Sequence, residues 1–424
     1  MGQVVIRILV TLWDGGGNVA PILGLSSELT ARGHEVRVLA DRSLAASVAA
    51  GGAGHAPWTT APQRSSPDPA TEFIRDYEAR TSFGQVGRIR DRLIAGPADR
   101  FFVDTRSEIE RFGPDVILVE NLLFGAQVAA EASAVPFASI VPNVYPGRTA
   151  GVPPFGLGLM PRDDAIGRLR DRGAAAVGRR LWDRGLPGLN ALRRDAGLAP
   201  LRTLFDALEL PDRVLVLTSA AFEFGGGADV PDNVVYCGPR LDDPDWTEPW
   251  SEPTGDGPLV LASLSTTTQN QDSVLPRVIA ALGDLPVRGV VTTGPSATTA
   301  ATAHANVTVV PSAPHSRVLE RATVAISHGG HGTVIKSLAA GVPVLCLPVS
   351  RDQPDTAARL VGCGAGIRLR PNASARSIAR AVETLLGDPA YRLAAGRMAE
   401  AIAADLAEDR AALEVEALAA SRGR

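Results

Sequence analysis

Short, almost wholly apolar runs recur along the chain and alternate with stretches in which apolar positions fall three and four residues apart. Runs of four to eight apolar residues bounded by turn signals suit strands buried on both faces, and the three-and-four spacing suits helices. In the first half, strands are predicted at Val4–Val10, Glu35–Ala40, Asp115–Val119, Phe137–Val141 and Val214–Thr218. Pro21–Arg32 reads as a helix stopped by Gly33, a residue suited to the left-handed position after a helix. In the second half the strands are Leu259–Leu264, Val287–Thr292, Val307–Val310, Thr323–Ile326 and Val342–Leu347. Helices are predicted from about Asp272, over Thr333–Ala340 and Ser374–Leu386, and from Tyr391 to about Leu418. Apolar Ile402, Leu406, Leu413 and Leu418 give that last helix an amphipathic face.

Strands alternating with helices imply an α/β fold with parallel sheets. The alternation breaks between residues 225 and 257, which are rich in Gly, Pro, Asp and Trp and read as a linker. Two Rossmann-like domains follow, over 1–224 and 258–395, with a terminal helix over 396–424. A chain of 424 residues is too long for one core of ordinary size, which agrees. Two further stretches, 57–101 and 142–161, lack periodicity but carry aromatic residues among polar ones. Loops of that kind overhang the cleft of a two-domain protein, so Trp58, Phe83 and Tyr145, with Trp13 at the end of the first strand, are candidate pocket residues.

Charge removes several classes of partner. A net charge of −4 with no basic block argues against nucleic acid and anionic membranes. Three widely spaced cysteines form neither a zinc pattern nor a disulfide framework, and suit a reducing cytoplasm. The chain enters its first strand without a leader pattern, and no run nears the length of a membrane span. The acidic pairs Asp163-Asp164 and Asp242-Asp243 fall in loops or linker and make no metal motif.

The densest chemistry lies in Ser327-His328-Gly329-Gly330-His331-Gly332-Thr333, followed by Gly341-Val342-Pro343 and Asp352-Gln353-Pro354. A Gly-rich turn that opens a helix exposes backbone N–H groups at the positive end of the helix dipole, which suits a phosphate. Asp352 and Gln353 come at the carboxyl end of the next strand, where open α/β sheets bind ligands. A carboxylate beside a carboxamide suits the paired hydroxyls of a sugar. A rival lies in Gly15-Gly16-Gly17-Asn18-Val19-Ala20, which fits G-x-G-x-x-A, with Asp41-Arg42 ending the second strand. That pattern would describe an NADP-dependent oxidoreductase. Pro21 argues for a turn into a helix's first position instead, and the rival leaves His328 and Asp352 unexplained.

The His328-Gly329-Gly330-x-Gly332-Thr333, Gly341-Val342-Pro343 and Asp352-Gln353-Pro354 set resembles the family 1 glycosyltransferases of the GT-B fold, including those that decorate bacterial antibiotics. The resemblance implies two Rossmann-like domains facing a cleft, with the first binding the acceptor and the second a nucleoside-diphosphate sugar. The sugar would move with inversion to a small lipophilic acceptor, without metal or other cofactor. It assigns the donor to His328, Gly330, His331, Gly332, Thr333, Asp352 and Gln353, with Ser265, Thr266 and Ser312 nearby.

Four positions depart from the family's pattern. Asn18 stands where the general-base histidine is usual, and an amide cannot take a proton. Glu120, at the end of its strand, and Asp14 are the replacement bases, with Asn18 left to orient a hydroxyl. Ser265 replaces a glycine, and Ser312 replaces the tryptophan that stacks on the nucleobase. Lys336 replaces the glutamate that holds both ribose hydroxyls, which favours a dTDP-sugar over a UDP-sugar. Without the histidine, a non-catalytic sugar-nucleotide-binding accessory protein is a further alternative.

Overall fold

The computed structural model describes residues 4–66, 68–243, 247, 250–264, 274–294 and 304–421. Two parallel sheets carry the fold. The first contains β1 (Arg7–Thr11), β2 (Glu35–Ala40), β3 (Gly54–Pro57), β4 (Val116–Glu120), β5 (Phe137–Val141), β6 (Arg213–Val216) and β7 (Val234–Tyr236), in the order β3-β2-β1-β4-β5-β6-β7. The second contains β8 (Leu259–Ser263), β9 (Arg288–Thr292), β10 (Val307–Val310), β11 (Ala322–Ser327), β12 (Val344–Cys346) and β13 (Gly366–Arg368), in the order β10-β9-β8-β11-β12-β13. β4, β5 and β8 are buried at every position, because helices cover both faces of each sheet.

In each sheet the strand order reverses beside the first strand. β1 pairs with β4 in the register Thr11↔Val119, and β8 pairs with β11 in the register Ser327↔Ser263. Neighbouring strands whose connections leave in opposite directions open a crevice at their carboxyl ends, where ligands of α/β sheets sit. The Gly15–Gly17 loop and Glu120 leave the first crevice; His328 leaves the second.

Three sequence expectations need correction. Val4 and Val5 are exposed, and the first strand begins at Arg7. β7 lies inside the stretch read as a linker and completes the first sheet, so that sheet extends past residue 224. The single terminal helix is two, Pro389–Leu406 and Arg410–Ser421, broken where Asp409 adopts φ 47°. The break changes the burial of its apolar stripe. Leu406 and Leu413 face solvent, whereas Ile402 packs in the second domain and Val415 and Leu418 in the first. Sequence periodicity also gave no sign of the helix Ala165–Trp182, whose only buried residue is Gly167.

Several buried contacts hold the domains face to face. Arg359 Nε bonds Glu223 Oε2, with both side chains almost fully buried, and Glu223 Oε1 accepts the Tyr145 N–H at 3.0 Å. The Arg359 guanidinium lies 4.9 Å from the Phe224 ring centroid. Val144 and Phe222 from the first half belong to the apolar core of the second sheet. The terminal helix Arg410–Ser421 returns the exchange: Ala411, Ala412, Val415 and Leu418 pack against the first sheet, and Glu416 receives a bidentate pair from Arg32 at 2.8 and 3.0 Å. No helix among the described residues is long and apolar enough to cross a membrane.

The two faces of the terminal helix should respond differently to charge. Val415→Asp places a carboxylate in an apolar core and should cost more than about 2 kcal/mol, whereas Leu413→Asp on the solvent side should stay within about 0.5 kcal/mol. Thermal unfolding of both variants checks this; equal midpoints would contradict the docking of this helix on the first domain.

Candidate active site

The crevice of the first sheet is built on Glu120. As the last residue of β4 it is 1% exposed, and its Oε2 accepts the Leu122 N–H at 2.9 Å. Burial pushes its carboxyl up to about 7, against the smaller lowering effects of that N–H and of the nearby Trp13 indole. A carboxylate whose pKa sits near neutrality, at the edge of a cleft, has the protonation balance that general-base catalysis needs.

Across the crevice the Gly loop is tied by its own side chains. Asn18 Oδ1 accepts the Gly15 N–H at 3.1 Å, and its Nδ2 donates to the Trp13 carbonyl at 2.9 Å. The amide expected to orient a substrate hydroxyl therefore also staples the loop, while lining the cleft. Asp14 receives the Ser43 hydroxyl at 2.8 Å and the Arg64 guanidinium at 3.3 Å. Asp41, the residue of the dinucleotide reading, is fully buried and accepts the N–H groups of Asp14 (3.0 Å) and Arg64. It is a loop anchor, with its carboxyl pushed up to about 7 by burial.

In the second sheet, β11 ends at Ser327, whose Oγ accepts the Gly329 N–H at 3.0 Å. Gly329 has φ 89°, and a Cβ there would lie 3.1 Å from the Gln353 carbonyl oxygen, so a side chain would strain the turn. Gly330 caps the helix His331–Ala339. The first amides of that helix, at His331, Gly332 and Thr333, have no intrahelical acceptor and stand at the cleft. His328 is buried beside them, and its Nδ1 has no hydrogen-bond partner in the protein. Burial drives the imidazole down to about 4, against the smaller raising effect of the Ser263 backbone, so at neutral pH the ring is uncharged and carries a single N–H. An incoming anion would raise that value.

His331 has a different surrounding from the one its motif suggests. Its Nε2 lies 2.9 Å from Thr218 Oγ1 in the first domain, and its ring meets Phe222 edge-on at 6.2 Å. Burial lowers its pKa to about 3. The ring joins the domains; its backbone serves the helix end.

Asp352 and Gln353 reach the same cleft. Gln353 Oε1 already accepts the N–H groups of Val349 and Ser350, at 2.8 and 3.0 Å. Asp352 Oδ2 accepts Asn143 Nδ2 at 3.1 Å, and burial raises its pKa. Ser312 lines the cleft, as does His315, whose Nε2 lies 3.2 Å from Thr292 Oγ1. Lys336 is neither solvated nor free: Nζ bonds the Asp242 carbonyl at 2.6 Å and Asp243 Oδ1 at 2.7 Å. Ser265 and Thr266 lie outside the described residues.

The cleft between the sheets measures about 2220 Å³. Two of the four aromatic candidates, Trp13 and Phe83, line it. Trp58 and Tyr145 do not. Trp58 is fully buried, its Nε1 bonded to the Leu12 carbonyl at 3.1 Å and its ring edge-on to Phe101. Tyr145 packs among Val141, Val214 and Val216. Aromatic residues in an aperiodic stretch are as easily core as pocket, and a sequence cannot separate the two. Asp164 caps the helix Ala165–Trp182 through the Gly167 N–H at 2.7 Å. Among the described residues, no group of three or more His, Cys, Asp or Glu could hold a metal ion. Sequence reading missed Asn143, Arg351 and the cleft-facing side of that helix. Asn143 two residues beyond a buried strand, and Arg351 next to Asp352, were available as signals.

Two facing parallel sheets, each opening its switch point onto one cleft, define the GT-B architecture. A family model described as "Erythromycin biosynthesis protein CIII-like, C-terminal domain" matches residues 276–418. The 4'-demethylrebeccamycin synthase of Lentzea aerocolonigenes is 31% identical over 413 residues, covering 94% of this chain and 96% of that protein. The O-mycaminosyltylonolide 6-deoxyallosyltransferase of Streptomyces fradiae is 27% identical, covering 98% of each chain. Among solved structures, the glycotransferase of kitacinnamycin superposes with a TM-score of 0.78 at 25% identity, over 98% of this chain and 99% of that one. The chain belongs to the GT-B glycosyltransferases of actinobacterial natural-product pathways, and it is a glycosyltransferase. The oxidoreductase and accessory-protein readings fall with that assignment.

A rate that needs the Glu120 carboxylate should fall about tenfold for each pH unit below 7, where protonation removes the base, and level off above it. Glu120→Gln should abolish that limb and lower turnover of an alcohol acceptor by about 10²–10⁴-fold, with Asp14→Asn costing far less. Measured pH–rate profiles decide; an unchanged profile in Glu120→Gln with loss in Asp14→Asn would move the role to Asp14.

Proposed function

We propose that this glycosyltransferase moves a sugar, with inversion and without a metal, from a nucleoside-diphosphate sugar to a lipophilic small-molecule acceptor. The observation that carries the reading is a buried carboxyl, Glu120, with a pKa near 7, facing the same cleft as the amide end of the helix His331–Ala339. Glu120 takes the proton from the acceptor hydroxyl as its oxygen attacks the anomeric carbon. The bond from that carbon to the diphosphate oxygen breaks, and the nucleoside diphosphate leaves with the electron pair. In-line attack inverts the configuration at that carbon.

The growing negative charge on the leaving group is met by the His328 imidazole and by the amides of His331, Gly332 and Thr333. Preorganised donors supply the stabilisation that a divalent cation would otherwise give. Asp352 and Gln353 read the sugar hydroxyls. Gln353 Oε1 is held by the backbone N–H groups of Val349 and Ser350, which fixes the carboxamide at the cleft wall. The donor is inferred to be a dTDP-sugar. Lys336 is held by Asp242 and Asp243, and Asp243 also receives Ser316 Oγ at 2.6 Å, so neither is a ready acceptor for a ribose diol. The acceptor is inferred to be lipophilic because Trp13, Phe83 and Ile89 line its side of the cleft. The names of the relatives, which concern rebeccamycin and a tylonolide, support a natural-product acceptor.

Turnover of dTDP- and UDP-sugars with a panel of polycyclic and macrolactone alcohols, with and without EDTA, tests the reading. Product with inverted anomeric configuration, undiminished by EDTA and faster from dTDP donors, is expected. His328→Ala should lower turnover by about 10²–10³-fold, the cost of one charge-stabilising donor. Full activity in that variant would remove His328 from the diphosphate site.

A further inference from the structure

The loop that carries Asp352 is held by the opposite domain. Asn143, two residues beyond the end of β5, donates from Nδ2 to Asp352 Oδ2 at 3.1 Å. That bond fixes the plane of the carboxylate, and with it the directions in which the group can accept hydroxyls. Arg351, immediately before Asp352, sits at φ 55°. This left-handed conformation is uncommon for a residue with a side chain and persists only where the surroundings enforce it. Its guanidinium provides that enforcement by forking onto Asp76, Nε to Oδ2 at 2.8 Å and Nη2 to Oδ1 at 2.6 Å, with Glu72 Oε1 at 3.4 Å. Asp76 and Glu72 are both buried. A bidentate, charge-assisted pair of this kind fixes orientation as well as position.

Asn143, Glu72 and Asp76 all belong to the half of the chain that carries the acceptor-side crevice. The loop they hold belongs to the half that carries the donor. We propose that Asn143 and the Arg351–Asp76 fork are positioning residues through which the acceptor-side domain selects the donor sugar. They aim the Asp352 carboxylate, so that nucleoside-diphosphate sugars are ranked by whether adjacent hydroxyls meet it in that one orientation. The inference rests on Asp352 as a sugar contact. Sugar choice would then change with substitutions in the acceptor-side domain, at Asn143 on the cleft wall and at Asp76 behind Arg351.

Calorimetric binding of dTDP, dTDP-glucose, its galactose epimer and a 6-deoxy analogue, to wild type and to Asn143→Leu, Asn143→Ser and Asp76→Asn, tests this. Asn143→Leu and Asp76→Asn should weaken the best sugar donor about tenfold, the loss of one partner of a charged hydrogen bond, and should change the order of the sugars. Affinity for dTDP alone should stay within about twofold, since its contacts lie elsewhere, and Asn143→Ser, which keeps a donor, should restore most of the loss. Equal weakening of dTDP and its sugars, or an unchanged order, would overturn the proposal while leaving the transferase reading intact. The nearly isosteric Asn143→Leu keeps the test open if Asp76→Asn fails to fold. Wild type binding no dTDP-sugar more tightly than dTDP, and turning none over, would sink both.

Discussion

The proposed chemistry needs groups from both walls of the cleft, and the buried Glu223–Arg359 pair ties those walls together. It joins a loop of the first domain to the helix Gln353–Gly362, whose start carries the proposed sugar contacts. Removing one member of a buried pair leaves an uncompensated charge, which is far costlier than never having built the pair. Glu223 also holds the Tyr145 N–H, and Arg359 covers Phe224, so the same pair fixes backbone and ring on the acceptor side. Around it Val144 and Phe222 enter the opposite core, and the terminal helix makes the return crossing. The cleft is thus a space between two walls joined at this seam, and a substitution at the seam acts on both.

Each wall uses the same device. Strand order reverses once in each sheet, and the loops that diverge there bring Glu120 opposite the Gly15–Gly17 loop, and His328 to the edge of β8. Burial then tunes the groups in opposite senses. It raises Glu120 to about 7, where it can exchange a proton, and lowers His328 to about 4, where it stays an uncharged donor until an anion arrives. One physical cause, the loss of water, thus moves a carboxyl and an imidazole toward their uncharged forms.

The sequence was most legible where a signal is local. Fully apolar strands such as Val116–Val119 and Leu259–Ala262 declare a parallel sheet by their own composition, and the glycines of His328–Thr333 declare a turn by their spacing. Long-range information was not legible. Trp58 and Phe83 look alike in an aperiodic stretch, yet one fills the core and the other lines the cleft. Lys336 gave no hint that Asp243, more than ninety residues earlier, would hold it. The turn at Asp409 was hidden because alanine-rich sequence on both sides favours helix, and only docking on two different cores reveals the break. The departure at Asn18 was legible as a missing base. That Glu120 has the pKa to replace it follows from burial, which no single-sequence pattern reports.

A structure of the ternary complex with a nucleoside diphosphate and an acceptor tests the central claim most directly. A base role for Glu120 requires the acceptor hydroxyl within about 2.6–3.2 Å of its carboxylate, with the terminal phosphate against His328 and the amides of Gly332 and Thr333. An acceptor hydroxyl seated on Asp14 instead, or a diphosphate bound away from His328, would contradict it.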